Sequence, residues 1–173
     1  MPELYNTTPL EGINTLLTYT AYDQTAAISS TNSPDNPGPP FKIGTTADTV
    51  NGGAFMFVKA SAAINQYDFV GILTTFNASQ LTSVTAAGAP IVGIAQVAIA
   101  SGAYGWVCLR GGAVSGNVAL STAVGVALYP TTVPGFLSAT TLVAKVDGVV
   151  CTTSRGTTAG STAVLASYPT IVL

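Results

Sequence analysis

Between residues 53 and 112 short apolar runs alternate with polar or glycine-rich breaks, opening with GAFMFVKASAAINQYDFVGI and closing with VGIAQVAIASGAYGWVCLRGG. Phe55, Phe57 and Lys59 alternate with Met56, Val58 and Ala60, a period of two that places the sets on opposite faces of a strand. Residues 67–73 read as the next strand. If the two pair as a hairpin across residues 61–66, Lys59 faces Asp68, Phe57 faces Val70 and Phe55 faces Ile72. Further apolar runs fall at 81–85, 91–99 and 104–109, punctuated by Gly88, Ser101-Gly102 and Gly111-Gly112. The pattern continues at 114–120 and 124–129, followed by a turn-rich stretch at 131–136. Runs at 142–146 and 149–153 flank Asp147-Gly148, the strongest local hairpin signal because both residues tolerate positive φ. Residues 155–161 read as a loop, and 162–166 lead to a last strand ending at Ile171 and Val172. Many short strands at regular spacing predict an all-β domain, a small barrel or a sandwich.

The N-terminal part is different. Leu10, Ile13, Leu16 and Leu17 would share one helical face, whereas Thr15, Thr18, Thr20 and the flanking Tyr19 and Tyr22 suit extended chain. The expectation is an extended arm with at most one helical turn. Residues 29–40, SSTNSPDNPGPP, combine turn formers with prolines and form a linker or ordered loop. The predicted organisation is an arm and linker over residues 1–40 and a β-domain over 41–173. Residues 88–109 contain no charge and are long enough for a membrane span. Their internal Pro and Gly residues, with Ile and Val favouring strands, predict two strands around a turn instead.

Only 7% of the 173 residues are charged, with a net charge of −2. A free monomer normally keeps charge on its surface for solubility, so this composition points to self-association or assembly. The five cations, Lys42, Lys59, Arg110, Lys145 and Arg155, are scattered and give no nucleic-acid footprint. No basic segment precedes an apolar run at the N-terminus, so synthesis in a cytosol is expected. There Cys108 and Cys151 would stay buried thiols.

The chemistry of catalysis is thinly supplied. There is no histidine, which removes the usual general base and the commonest metal ligand. The two cysteines lie far apart, and Asp23, Asp35, Asp48, Asp68 and Asp147 show no metal-loop spacing. Cys108 near Arg110 lacks a base to take its proton. Arg110-Gly111-Gly112 and Gly116 do not match a phosphate-binding loop and read as turn glycines. Tyr104 and Trp106 alternate onto one strand face, either as a sugar-stacking platform or as an anchor in a core or subunit seam. The expectation is a protein that is not an enzyme and uses no cofactor or metal.

FVKASAAINQYDFVGI at 57–72, VGIAQVAIASGAYGWVCLRG at 92–111 and ALYPTTVPGFLSA at 127–139 resemble, in the same order, the capsid decoration proteins of tailed bacteriophages, also called head-stabilisation or cement proteins. The resemblance extends from about residue 41 to the C-terminus. It implies a small β-barrel or β-tulip on the outer surface of the virion, assembled as a homotrimer. Its partner would be the major capsid protein, with no role for nucleic acid or membrane, and it would bridge capsomers and stabilise the expanded head. Tyr104, Trp106, Phe55 and Phe57 are then candidates for the core or trimer interface. Leu10, Ile13, Leu16, Leu17, Tyr19 and Tyr22 are candidates for a capsid-contact arm that adds to an exposed sheet edge. The alternative is a phage fibre or adhesin domain that binds host surface or glycan through an exposed aromatic face.

Overall fold

A computed structural model describes Leu16, Thr18 and Tyr19 of the arm, then residues 41–49, 51–142 and 144–172, with backbone alone at Ala113. The strands are β1 (Thr18–Tyr19), β2 (Thr46–Asp48), β3 (Ala54–Ala60), β4 (Phe69–Ile72), β5 (Asn77–Gln80) and β6 (Ile91–Ala95). They continue as β7 (Tyr104–Val118), β8 (Tyr129–Pro130), β9 (Leu137–Ser138), β10 (Lys145–Cys151) and β11 (Gly160–Val172). A single 3-10 turn, Ala86–Gly88, is the only helical element among the described residues.

Strands β3, β5, β4, β6 and β7 neighbour one another in that order, and β7 pairs back onto β3, closing a five-stranded barrel. The β3–β5 pairing is parallel and the other four are antiparallel. Alternate side chains of these strands fill the barrel, among them Met56, Val58, Val70, Ile72, Ala78, Ala95 and Val107. So few strands enclose a narrow space, and small residues make it closable. A Cβ on Gly105 would lie 2.7 Å from Ile99 Cδ1, and one on Gly93 would lie 3.0 Å from Val107 Cγ2.

The outward-facing residues of the same strands are also covered. Phe69, Val92, Ile94 and Cys108 join a second cluster with Val146, Val149, Cys151, Val164 and Ala166 from β10 and β11. Phe57, Tyr104 and Trp106 form a third. Strands buried on both faces read as nearly continuous apolar runs, which explains AFMFV in β3 and YGWVCL in β7. β7 has a different partner along each half: residues 104–110 pair with β3, and most of 110–118 pair with β11.

Several local expectations are corrected. β3 and β4 do not form a hairpin. Lys59 lies opposite Asn77 and Tyr104, Phe57 opposite Trp106, and Phe55 opposite Cys108, while Val70 pairs with Gln80 and Gly93. The connection between them buries Ile64 against Ile99 and reverses through Tyr67 at φ 68°, so β4 is placed across the barrel from β3. Gly111-Gly112 is not a turn, because β11 pairs with β7 on both sides of it, Ala166 with Gly111 and Val164 with Val114, and β7 continues through a bulge at residues 112–113. Asp147-Gly148 lies inside β10, where Gly148 at φ 80° stands opposite a bulge of three residues, 167–169, in β11. The run at 81–85 is a turn in which Thr82 and Thr85 each accept the other's backbone N–H through their hydroxyls. Of 124–129 only Leu128, in an isolated bridge to Val146, and Tyr129 take part in pairing. Residues 162–166 belong to one long strand, β11. Residues 88–109 do contain two strands around a turn, as expected.

Candidate functional site

The aromatic residues singled out in the sequence meet on the outer wall of the barrel. Phe57 of β3 stacks on Tyr104 of β7 with centroids 6.1 Å apart, and Trp106 lies 5.1 Å from Phe57. Phe57 and Trp106 have no solvent exposure, Tyr104 has 2%, and Phe55 packs half-buried beside them. The cover comes from upstream. The Phe41 ring meets Trp106 edge-on at 5.0 Å and Phe57 at 5.5 Å, and Tyr19 meets Phe57 at 5.8 Å. The Trp106 indole N–H is buried without a hydrogen-bond partner among the described residues. Lys59 extends over the Tyr104 ring, with Nζ 5.6 Å from its centroid. Phe41 was missed in the sequence because it directly follows the prolines of the linker.

Of the arm candidates, Tyr19 sits in β1, which pairs with the start of β7: Thr18 opposite Gly105 and Tyr19 opposite Tyr104. β6 pairs with β7 only at Val107 and Cys108, so β1 occupies the stretch beside β7 that β6 leaves free. Burial raises the Tyr19 phenol above its ordinary value. Leu16 is exposed. Leu10, Ile13, Leu17 and Tyr22 lie outside the described residues.

Two further groupings were not anticipated. Asp68, expected to face Lys59, is 1% exposed and bound from three segments. Its carboxylate accepts from Asn65 N–H at 2.8 Å, Gln80 Nε2 at 2.5 Å and Asn117 Nδ2 at 3.0 Å. Asn117 also donates to the Gln66 carbonyl, and its own N–H to that of Tyr67. The carboxylate thus ties the chain before β4 to β5 and β7. The second grouping is at the surface. Arg110 Nε donates to the Gly52 carbonyl at 2.8 Å, Nη2 pairs with Asp48 at 3.3 Å, and the guanidinium lies 5.2 Å from the Tyr168 ring centroid. Tyr168 is half-exposed at φ 48°, a left-handed conformation that a bulky residue rarely adopts. No sequence pattern marked this residue.

Both cysteines are buried free thiols. Burial pushes Cys108 up to about 11 against a weaker lowering effect of the Arg110 backbone, and burial raises Cys151 as well. Neither is poised as a nucleophile at neutral pH. Among the described residues no group of three His, Cys, Asp or Glu side chains could hold a metal ion. No described helix is long and apolar enough to cross a membrane.

The class that this fold defines is an all-β protein built on a closed five-stranded barrel, with further strands covering its outer wall. No protein-family model matches the chain, and no curated protein matches it.

Proposed function

We propose that this chain is a structural virion protein that binds the outer surface of a tailed-phage head, bridges capsomers and stabilises the expanded shell. Its partners are the major capsid protein and further copies of itself, in a homotrimer. The observation that carries this reading is the use of charge. All three described carboxylates are committed within the chain: Asp48 to Arg110, Asp147 to Lys145, and Asp68 to buried donors. Meanwhile Val84, Leu120, Val124 and Val133 are each more than half exposed. A surface with little uncommitted charge and several outward aliphatic side chains suits burial against protein. The likeness of residues 57–72, 92–111 and 127–139 to decoration proteins supplies the kind of partner. Binding an assembled shell in preference to dissociated subunits stabilises the shell by mass action. Residues 1–40 are the proposed capsid-contact arm, beyond the part that β1 lays on its own β7. The adhesin alternative relied on an exposed Tyr104–Trp106 platform, and both rings are buried.

The test is quantitative mass spectrometry of purified particles, coupled to binding of the full chain and a chain lacking residues 1–40 to expanded shells. A copy number comparable to the major capsid protein is expected, with weaker binding by the truncated chain. A few copies per particle would indicate a fibre or adhesin, and absence from the particle would overturn the virion reading. Equal binding by both chains would remove the arm from it.

A further inference from the structure

Phe57, Tyr104 and Trp106 are buried on the outer wall of the barrel, yet part of their cover comes from upstream of it. Tyr19 of β1 meets Phe57 edge-on at 5.8 Å, and Phe41 meets Trp106 at 5.0 Å. β1 is two residues long and holds to β7 through two residue pairs, Thr18 with Gly105 and Tyr19 with Tyr104. Residues 20–40 separate it from Phe41 in the sequence. A strand this short contributes little backbone pairing of its own. Within one protein, opening free energies run from near zero at such margins to the full unfolding value in the core.

The wall beneath has the form of a seat for an added strand. One edge of β7 carries β3 all along residues 104–110, whereas on the other edge β6 stops at Val107 and Cys108, and β1 lies where it stops. The Trp106 indole N–H is a second, independent observation. It is fully buried and has no hydrogen-bond partner among the described residues. A buried donor left in this state costs about 1–3 kcal/mol. Tyr19 and Phe41 bring rings to the wall, but nothing beside the indole supplies an acceptor. The arm therefore covers the wall without satisfying it.

We propose that β1 is an internal occupant of a strand-addition site on β7, and that this site takes an extended segment of a partner protein when β1 lifts away. Three features define the segment. The edge at Tyr104 and Gly105 pairs with backbone, as it does with β1. The Phe57 ring takes an aromatic side chain edge-on, in the place that Tyr19 fills. The Trp106 indole N–H takes a backbone carbonyl oxygen, the one contact that the arm does not make. While β1 is seated it competes with the partner, so the apparent affinity of the natural chain is lowered by the fraction of molecules in which the site is open. The arm is thus both a cover for the aromatic wall and an intramolecular inhibitor of what binds there.

This inference does not rest on the virion reading, and its test needs no particle. The probe is a fluorescently labelled peptide of residues 15–22, TLLTYTAY, added to the full chain and followed by anisotropy. The Tyr19→Ala chain is expected to keep the circular dichroism of the natural chain and to bind the peptide at least about tenfold more tightly than the natural chain does. A peptide that itself carries Tyr19→Ala is expected to bind neither. Trp106 is the only tryptophan of the chain, so its quenching by acrylamide is expected to fall as the peptide seats. Native-state hydrogen exchange of the natural chain gives a second measurement that needs no substitution. The Trp106 indole N–H is expected to exchange at least about tenfold faster than the backbone N–H groups shared by β3 and β7, because it opens with the arm and not with the barrel. Equal exchange rates, a peptide that binds both chains equally or neither, or a Tyr19→Ala chain that unfolds would overturn the proposal, since β1 would then be an integral strand or its place no site at all.

Discussion

Asp68 is a charged residue at 1% exposure, and its local sequence, QYDFV, gives no sign of that. Its donors come from residues 65, 80 and 117, so the site exists only after three segments have met. Asp68→Ala leaves these donors facing apolar surroundings and is expected to cost about 3 kcal/mol, read from the urea midpoint at constant slope. A loss below about 0.5 kcal/mol would mean that water replaces the carboxylate. Cys108 makes a different prediction. Its thiol ionises near 9.0 when unperturbed and near 11 in the fold. The unfolded chain therefore loses this proton first. The stabilisation is fully present below about pH 9 and is lost as pH rises to about 11, up to roughly 3 kcal/mol. Cys151 and Tyr19, also raised, act in the same direction. Cys108→Ala should shrink the decline in unfolding free energy between pH 8 and 11, and an identical decline in both proteins would refute the assignment.

Among the elements, β10 shows best why local signals mislead. Asp147-Gly148 between two apolar runs predicts a hairpin, because a two-residue turn of this kind requires positive φ. A glycine at positive φ inside a strand, opposite a bulge of its partner, has the same local chemistry. What separates the two outcomes is whether the flanking runs pair with each other or with a third strand. Here β11 is long enough to pair with both. Gly148→Ala combines a left-handed alanine with a close approach to the Ser167 carbonyl, and it is expected to lower stability by about 1–3 kcal/mol. Thermal unfolding would read the change, and an unchanged midpoint would show that the bulge relaxes freely. The same distinction applies to β3. Its alternation was readable because side-chain direction follows from the backbone, whereas its partners β2, β5 and β7 are set by closure of the barrel.

For the whole molecule, composition and architecture fit together. Small residues are required inside a narrow barrel, and apolar residues are required on both faces of walls covered from inside and outside. Few positions are left where charge would be solvated, and among the described residues two such pairs form, Arg110 with Asp48 and Lys145 with Asp147. The arm takes part in the cover, since β1 continues the sheet beside β7 and Tyr19 caps Phe57. The division at residue 40 is therefore a division of sequence character, with arm contacts crossing onto the barrel.

The sequence by itself determined the all-β class, the opposing faces of β3, the strand-turn-strand character of residues 88–109 and the shared face of Tyr104 and Trp106. Each follows from the two-residue period of a strand or from local turn chemistry, which neighbouring residues carry. Only the tertiary structure decided which strands pair, that two glycine-containing turn signals lie inside strands, that Asp68 is buried, and that Tyr168 stands against Arg110. Those depend on contacts between residues tens of positions apart, and a one-residue slip in any pairing would exchange the buried and exposed faces.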